Sequence, residues 1–365
     1  MNKPEWYGGI LNLSAALYDY YGLPNGRKPD EVLSKWLKDH QFRCVAAVLL
    51  DALGVSILER AVSEEGFFRS HLAKSVTTVF PPTTTAATTS FLTGRSPAEN
   101  AWLGWNQYFR EKNDQIILFR EQSQYTREKY PGFIPEAMPV RWIMDELNEN
   151  GIKADSVWPS FGKSWPSHDF EEFCSNVLEA VSDPQCRFVY GYWDQPDSWL
   201  HEHGPSDPGL AGYISAMEEQ VEQLAADLPE DCGLIVIADH SQIDIEHYAM
   251  EEDEELCACF ASRPSLEARC VSFQIKEGYH ERFGTLFRER FADKFTLLNH
   301  EEAVRRGIFG SGIPHERFEE FVGDYIAIAE TPLQLEYIKG HHDKGNHAGG
   351  MEEEALIPLI LSPRL

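Results

Sequence analysis

The sequence predicts an α/β protein with a mostly parallel central sheet, helices on both faces of that sheet, and a smaller inserted α+β subdomain. Two observations indicate this fold class. Short apolar runs rich in β-branched and aromatic residues recur along the chain, and amphipathic stretches typical of helices separate them. The region from Ser241 to about Pro332 has a different composition, which is richer in charge.

Six apolar runs are predicted to form the strands of the central sheet. Strands that are buried on both faces lose the alternation of apolar and polar residues, and these runs are nearly continuous in apolar residues. Amphipathic stretches at Pro139–Asn150 and Gly209–Leu228 are predicted to be helices between the strands. The predicted strands are Cys44–Leu50, Ser75–Phe80, Lys153–Trp158, Arg187–Trp193, Gly233–Ala238 and Ala355–Leu361.

The predicted subdomain is distinguished by its charge and by shorter, less apolar strands. It contains the acidic run Glu251–Leu256, which we interpret as a solvated face, and the strand-like segment Cys270–Gly278. We therefore predict a core formed by residues 1–240 and 333–365, with residues 241–332 inserted as a cap.

The composition excludes several classes of function. The chain has 365 residues and a net charge of −27, which repels nucleic-acid polymers, anionic membranes and small phosphate esters. A site for a phosphate ester would therefore need strong local positive charge, which bound metal ions supply. The seven cysteines are scattered and odd in number, so we expect no disulfide framework. Neither a signal-peptide pattern nor an apolar run of membrane-spanning length occurs, which predicts a cytoplasmic protein with no membrane partner.

Carboxylate and imidazole residues stand next to four of the predicted strands. In an open α/β sheet, active sites form at the edge where the carboxyl ends of the strands meet. One aspartate at one strand end is ordinary turn chemistry, but four such segments together favour a centre for zinc or a similar divalent ion. Three histidines nearby, His203, His341 and His342, could equally be surface residues or partners of the ligands. The candidate ligands are Asp51, Asp197, His201, Asp239, His240 and His347.

The segment Phe80–Gly94, with the sequence FPPTTTAATTSFLTG, is predicted to contain a helix that begins near Thr84 and ends at Gly94. The N-terminus of a helix presents free N–H groups and a positive dipole end, which favour an anion. A hydroxyl that touches a metal ion there loses its proton more readily and becomes a competent nucleophile. The residues alone leave open which of Thr83, Thr84 and Thr85 has this role, since each could instead cap the helix.

These motifs resemble the alkaline phosphatase superfamily, and most closely its nucleotide pyrophosphatase/phosphodiesterase branch. The matching segments occur in the order of that family and extend over nearly the whole chain. They are Leu49–Gly54, Phe80–Asn106, Gln195–Pro205, Val236–Ser241 and Gly345–Leu361.

The resemblance implies two metal ions per chain, usually zinc, and a threonine nucleophile. Counted back from the end of the predicted helix, the nucleophile falls on Thr84, with Thr83 as the alternative. It would attack phosphorus to give a phosphothreonine, which water then hydrolyses. Asn106 corresponds to an asparagine that contacts the phosphate in the family. One metal site would use Asp197, His201 and His347, and the other Asp51, Asp239, His240 and the nucleophile.

The function implied by this resemblance is a two-metal phosphoric ester hydrolase, of the phosphodiesterase or nucleotide pyrophosphatase type, that acts on a small-molecule phosphate ester such as a nucleotide. The sequence departs from the family pattern at Ala87, where eukaryotic pyrophosphatases have Asn, and at Ser241, where the family has Gly. These departures bear on the identity of the substrate more than on the binding of metal ions. A phosphomonoesterase or phosphonate hydrolase of the same superfamily is the alternative, and an inactive metal-binding protein is a third hypothesis. The sequence predicts no oligomeric state.

Overall fold

Two seven-stranded sheets organise the molecule, and the computed structural model describes residues 8–162, 164–340 and 342–363. The strands are numbered along the chain. Those of the central sheet are β1 (Cys44–Leu50), β2 (Leu72–Thr77), β6 (Ala154–Pro159), β7 (Pro166–Ser167), β8 (Phe188–Trp193), β9 (Cys232–Ile237) and β18 (Leu356–Ser362). Their order across the sheet is β2-β18-β9-β1-β8-β6-β7.

All six predicted strands are found in this sheet, which confirms the predicted fold class. Strands β1, β8 and β9 are buried along their whole length, as their continuous apolar sequences indicate. Every pairing in the sheet is parallel except those of β18, which runs antiparallel to both β2 and β9. The start of β18 therefore lies at the edge where β1, β8 and β9 end, and the loop before β18 reaches that same edge.

Helices pack against the central sheet and against the second sheet. The two predicted helices are found at Ile143–Glu149 and Leu210–Asp227. No helix of the described residues is long and apolar enough to cross a membrane. The helices are α1 (Gly9–Tyr20), α2 (Glu31–His40), α3 (Val55–Ala61), α4 (Phe67–Ser70), α5 (Thr84–Thr93), α6 (Pro97–Asn100), α7 (Phe133–Ala137), α8 (Ile143–Glu149), α9 (Phe170–Ser182), α10 (Asp197–His203), α11 (Leu210–Asp227), α12 (Glu254–Cys257), α13 (His280–Phe291), α14 (His300–Arg306), α15 (Phe318–Val322) and α16 (Glu352–Ala355), with a 3-10 turn at Met250–Glu252.

The second sheet is antiparallel throughout, with the order β14-β15-β13-β12-β3-β4-β5. Two short ribbons, β10 with β17 and β11 with β16, lie outside both sheets. The strands of the second sheet are β3 (Asn106–Phe109), β4 (Asp114–Ile117), β5 (Gln122–Ser123), β12 (Ser265–Leu266), β13 (Cys270–Phe273), β14 (Phe295–Asn299) and β15 (Tyr325–Ala329). Those of the ribbons are β10 (Ile243–Asp244), β11 (Glu246–Ala249), β16 (Leu333–Glu336) and β17 (Gly345–Asn346).

The second sheet draws strands from both sides of the predicted boundary at residue 240. Four of its strands lie within residues 241–332, and three come from residues 106–123. The two sets join where β12 pairs with β3, at Leu266 and Asn106. The division into residues 1–240 with 333–365 and residues 241–332 stays a prediction, and the structure adds residues 106–123 to the sheet of the predicted cap.

Candidate metal centre

The six predicted ligands meet at the carboxyl edge of the central sheet, in two groups. Within each group, one ligand atom per residue lies within 4.8 Å of the others. The groups are those that the resemblance implied, although their members come from loops up to about 300 residues apart in the chain. Group A, as we name it, contains Asp51, Asp239 and His240, and group B contains Asp197, His201 and His347.

Group A is buried. Asp51 follows β1 directly, and Asp239 and His240 follow β9 at the end of a parallel neighbouring strand. The His240 Nε2 atom lies 3.3 Å from Asp51 Oδ1 and 3.7 Å from Asp239 Oδ2. One oxygen of Asp239 accepts hydrogen bonds from the backbone N–H groups of Ala52 and His240, at 3.1 and 2.9 Å. Its other oxygen, Oδ2, is buried and has no hydrogen-bond partner among the described residues.

Group B is more open to the cavity and is built on helix α10 and the loop before β18. Asp197 and His201 are one helical turn apart, and His201 Nε2 lies 3.4 Å from Asp197 Oδ2. His347 Nε2 lies 3.8 Å from Asp197 Oδ1. Gln242 donates from Nε2 to Asp197 Oδ1 at 2.5 Å, which fixes the orientation of that carboxylate.

In all three ligand histidines, the Nδ1 atom is hydrogen-bonded to a group outside the cluster. The Nδ1 atoms of His201, His240 and His347 lie 2.9, 3.1 and 3.1 Å from the carbonyl oxygens of Gly345, Ser241 and Pro82. A carbonyl can only accept a hydrogen bond, so Nδ1 carries the hydrogen in each ring. In the neutral ring, Nε2 then presents a lone pair towards carboxylate oxygens. A lone pair that faces carboxylate oxygens is unfavourable unless a proton or a cation lies between the atoms. A hydrogen bond at Nδ1 that leaves Nε2 free is how proteins orient histidines for a metal ion.

The electrostatics of the cluster also indicate missing positive charge. Burial raises the pKa of Asp51 well above its usual range, and the neighbouring carboxylates Asp239 and Asp197 raise it further. Burial alone would lower the pKa of His240, but Asp239 and Asp51 outweigh it and raise the value to about 10. The protonated forms of Asp51 and His240 are therefore favoured in the metal-free protein. Divalent cations would replace these protons and satisfy Asp239 Oδ2, so the residues fit a pair of metal sites.

Thr84 is the threonine that faces group A. It is the first residue of α5, it is 8% exposed, and its Oγ1 atom lies 3.1 Å from His240 Nε2 and 3.4 Å from both oxygens of Asp51. The hydroxyl of Thr83 instead donates to Glu267 Oε1 at 2.5 Å. The hydroxyl of Thr85 is buried without a partner in the described structure. The fold therefore gives the three neighbouring threonines three different environments.

Asn106 and the additional histidines occupy other positions. Asn106 lines the cavity at the start of β3 and donates from Nδ2 to the carbonyl of Leu266 at 3.2 Å. Its Oδ1 atom is buried and has no partner in the part of the chain that the structure describes. Its contact with a phosphate stays a prediction. His203 stacks on Trp199, with 4.5 Å between the ring centroids. His342 belongs to neither ligand group, and His341 lies outside the described residues.

Sequence reasoning missed three side chains that support the cluster. Tyr192, in β8, donates its hydroxyl to Asp51 Oδ2. Gln242 holds Asp197, and Glu267 holds Thr83. The sequence contains only weak indications that these residues belong to the site. Gln242 follows the predicted ligand His240 by two residues, and Tyr192 is near the end of a predicted strand. Glu267 directly follows β12 of the second sheet, so nothing in its local sequence connects it to Thr83.

The loops after β1 and β9 approach each other closely at Gly54. A Cβ atom on this glycine would lie 2.2 Å from the Ser241 side chain, whose hydroxyl is hydrogen-bonded to that of Ser56 at 2.8 Å. The serine that replaces the family glycine at position 241 therefore fits because residue 54 has no side chain. Ser241 is not a member of group A, and the ligand atoms of that group lie together with serine at this position.

A cavity of about 1320 Å³ opens over both groups and over Thr84. The central sheet and its loops contribute aromatic residues to the wall, among them Trp142, Trp158 and Tyr192. The second sheet contributes Trp105 and Arg120. The volume exceeds the range of roughly 300–1,000 Å³ typical of small-ligand pockets, so the cavity has room for a substrate with two sizeable parts.

The Glu267 side chain is expected to make the stability of the protein depend on pH. Burial raises its pKa from the ordinary 4.5 to about 7, against the opposing hydrogen bonds from Thr83 and the Trp105 N–H. Because the folded state favours the protonated form, the stabilisation is complete below about pH 4.5 and is lost as the pH rises through about 7. Thermal unfolding of chelator-treated protein should show this loss, and Glu267→Gln should remove it. The surface variant Glu289→Gln should keep the wild-type slope, whereas an unchanged slope in Glu267→Gln would contradict the assignment.

The class of protein follows from the fold and the site together. A mostly parallel α/β sheet with two Asp/His groups at its carboxyl edge, beside the N-terminus of a threonine-rich helix, is the arrangement that the resemblance to the alkaline phosphatase superfamily implies. Within it, residues 45–256 match the model of the type I phosphodiesterase/nucleotide pyrophosphatase family. The match covers more than half of the chain, and the protein belongs to this family.

Curated relatives match a shorter part of the chain. Human bis(5'-adenosyl)-triphosphatase ENPP4 is 28% identical over a segment that covers 32% of this chain and 30% of that protein. The bovine protein of the same name is 27% identical over 31% of this chain and 29% of its own length. The matched segment thus spans less than a third of these relatives.

Solved structures share the fold over most of the chain. Murine ectonucleotide pyrophosphatase/phosphodiesterase 5 has a TM-score of 0.68 and 17% identity, with 87% of both chains covered. Phosphonoacetate hydrolase from Sinorhizobium meliloti 1021, in complex with phosphonoformate, has a TM-score of 0.66 and 13% identity, with 89% of this chain and 91% of that chain covered. At these identities the likeness shows the fold.

Proposed function

We propose that the protein is a metal-dependent hydrolase of phosphoric esters, of the phosphodiesterase/nucleotide pyrophosphatase type, with Thr84 as its nucleophile. The observation that carries the proposal is the position of the Thr84 hydroxyl, 3.1 Å from His240 Nε2 and 3.4 Å from the Asp51 carboxylate. The hydroxyl is thus held against the ligands of group A, so an ion bound by that group would contact the hydroxyl and ease the loss of its proton. Thr83 is less suited, because its hydroxyl already donates to Glu267.

The chain supplies groups that can bind the phosphoryl group, in addition to the nucleophile. The first turn of α5 begins at Thr84, which borders the cavity space, and the first N–H groups of a helix have no partner inside the helix. A phosphoryl group in that space would receive these hydrogen bonds and the positive end of the helix dipole. Attack then forms a bond from Thr84 Oγ1 to phosphorus and breaks the bond to the leaving oxygen, which takes up a proton. Water hydrolyses the phosphothreonine and restores the Thr84 hydroxyl.

Group A with Thr84, and group B, are the residues that would hold two divalent ions, for which we propose zinc. When bound, such ions lower the pKa of a hydroxyl that they contact and neutralise negative charge on the phosphoryl oxygens. Group A residues also place Thr84, because Asp51 and His240 both contact its hydroxyl. In group B, Gln242 keeps Asp197 oriented towards His201 and His347.

For the substrate we propose a nucleotide with a phosphodiester or phosphoanhydride bond. Two of the similar proteins are named for nucleotides: ENPP4 is called a bis(5'-adenosyl)-triphosphatase, and ENPP5 was solved as an inactive threonine-to-alanine variant in complex with AMP. In this chain, the aromatic side chains of Trp142, Trp158 and Tyr192 line the cavity and could stack on a base. A phosphonate hydrolase is the second candidate, because phosphonoacetate hydrolase shares the fold over 89% of this chain.

Turnover of a substrate panel tests the proposed function. Protein purified without chelators is expected to contain about two divalent ions per chain and to hydrolyse bis(p-nitrophenyl) phosphate faster than p-nitrophenyl phosphate. Chelation should abolish turnover, and added zinc should restore it, since the ligand groups need cations in place of protons. The phosphonate candidate is favoured instead if phosphonoacetate is the best substrate of the panel.

Two results would contradict parts of this proposal. Folded protein with no bound metal would remove the basis for both ion sites. Protein that binds about two ions but turns over no phosphate ester would favour the hypothesis of an inactive metal-binding protein.

A further inference from the structure

Arginine side chains line the cavity of this acidic protein on the side of the second sheet. Arg120 follows β4 closely and Arg127 follows β5, and both contribute to the cavity wall. Neither forms an ion pair with a carboxylate within the described ranges of the chain. The third cation of the wall, Lys339, pairs with Glu252 at 2.5 Å. With a net charge of −27, carboxylates are plentiful, so two cavity arginines without such a partner are available to a ligand.

Arg120 is held in place by an aromatic ring. Its guanidinium carbon lies 5.2 Å from the centre of the Trp105 ring, a cation–π contact. This contact orients the guanidinium but leaves its charge and its N–H donors unneutralised. A carboxylate partner in the same position would have cancelled the charge.

A continuous set of contacts connects Arg120 with the proposed nucleophile. The backbone N–H of Trp105 donates to Glu267 Oε1 at 2.6 Å, and the same oxygen accepts the Thr83 hydroxyl at 2.5 Å. Thr83 precedes Thr84 directly, and all five of these residues line the same cavity. Arg120 therefore lines the same cavity as the reacting centre, and these contacts connect the two.

We propose that Arg120, held on Trp105, and Arg127 form a second anion subsite. It binds a negatively charged group of the substrate other than the phosphoryl group that Thr84 attacks. The planar guanidinium group matches both phosphate and carboxylate with paired N–H donors, so the shared chemistry is a second oxyanion. In a phosphoanhydride this group is the neighbouring phosphate, and in a phosphonocarboxylate it is the carboxylate. The inference rests on the proposed function, because it assigns the rest of the substrate to a place in that same cavity.

The test compares substrates with and without the second anion in the wild type and in Arg120→Met. ATP and phosphonoacetate carry the second anion, whereas bis(p-nitrophenyl) phosphate does not. The variant should lose about 10- to 100-fold in kcat/KM on whichever anionic substrate the wild type uses, the range expected for a hydrogen bond to a charged group. It should stay within about 2-fold on bis(p-nitrophenyl) phosphate, because that substrate has nothing for Arg120 to bind. Loss on ATP alone identifies a phosphate as the bound group, and loss on phosphonoacetate alone identifies a carboxylate.

Arg305→Met is the matched control, since it removes the same charge from an exposed position on α14 that does not line the cavity. Its kcat/KM should equal that of the wild type on both kinds of substrate. In Arg120→Met, equal losses on substrates with and without the second anion would overturn the subsite and indicate a structural role for the arginine. No loss on either ATP or phosphonoacetate would also overturn the subsite.

A binding measurement separates failure of the subsite from failure of the proposed function. A wild type inert on every substrate would overturn the proposed function. The subsite would then be judged by titration calorimetry with pyrophosphate, for which the wild type should bind about 10-fold more tightly than Arg120→Met. Equal affinities would overturn the subsite.

Discussion

Replacement of Thr84 by alanine is expected to reduce turnover of phosphate esters by at least roughly 10⁴-fold, because loss of a nucleophile leaves only binding and electrostatic effects. Thr84 Oγ1 contacts both Asp51 and His240, and Thr84 is the first residue of α5 and lines the cavity. The variant should fold, since alanine suits the first turn of a helix and the residue loses no backbone contact. Steady-state kinetics with bis(p-nitrophenyl) phosphate would measure the loss.

The neighbouring threonines provide matched controls for this effect. Thr85→Val removes a buried hydroxyl one residue away that has no partner, and it should leave kcat within a few-fold of the wild type. Thr84→Ser keeps the hydroxyl and should retain measurable turnover. A large loss in Thr85→Val with normal activity of Thr84→Ala would refute the assignment.

The Thr83 alternative needs its own measurement, because that side chain also supports the site through Glu267. Acid quenching during turnover, followed by mass spectrometry of the peptide that contains Phe80–Gly94, should find the phosphate on Thr84. A phosphate on Thr83 would move the nucleophile by one residue and leave the metal ligands as they are.

Replacement of Arg269 by alanine is expected to destabilise the fold by about 3–5 kcal/mol, the range for breaking a buried ion pair by removing one partner. Arg269 and Glu354 are both fully buried, with Nε–Oε1 and Nη2–Oε2 distances of 2.8 and 2.9 Å. Arg269 also donates to the carbonyls of Thr331 and Leu333, at 2.9 and 3.2 Å. Removing the guanidinium would leave the Glu354 carboxylate buried and only partly satisfied. Urea denaturation of the variant and the wild type would measure the change in the free energy of unfolding.

This ion pair has a second consequence at the metal centre. Glu354 Oε1 accepts the backbone N–H of Gly349 at 2.8 Å, two residues after His347. Arg269 lies between β12 and β13 of the second sheet, so the pair connects that sheet with the loop that carries a group B ligand. Weaker zinc binding in Arg269→Ala, measured by competition with a chelator, is expected to accompany the loss of stability.

Two further variants distinguish the buried pair from charge removal in general. The double variant Arg269→Met with Glu354→Leu replaces both charges by apolar groups, so it should lose much less stability than Arg269→Ala. Lys35→Ala removes one partner of an exposed pair with Asp39 and should change stability by less than about 1 kcal/mol. A similar small change in Arg269→Ala would show that the pair contributes little.

Much of the central sheet could be predicted because strands buried on both faces need apolar residues, and this pattern is visible in the local sequence. A strand such as Cys44–Leu50, covered on both faces, must be apolar along its whole length, and its run of seven apolar residues is found as one buried strand. The prediction was less accurate for the second strand, expected at Ser75–Phe80 and found at Leu72–Thr77. That strand lies at the edge of the sheet and is only partly buried, so its pattern is weaker.

The second sheet was harder to predict because its pairings join distant segments. Strand β12 pairs with β3 across about 160 residues of sequence, and short strands carry little periodicity. The segment of residues 106–123 therefore gave no sign that it joins strands from residues 265–329.

By itself, the sequence determined which residues could bind metal ions and where a helix could present a threonine to them, since ligand type and helix start are local chemical properties. Only the tertiary structure decided three further points. The antiparallel direction of β18 brings His347 to the edge where Asp51 and Asp239 lie. The Glu267 side chain engages Thr83 and leaves Thr84 facing His240, and Trp105 holds Arg120 at the cavity. Strand direction and contacts between distant segments depend on how whole elements pack, and that information is absent from any local stretch of the chain.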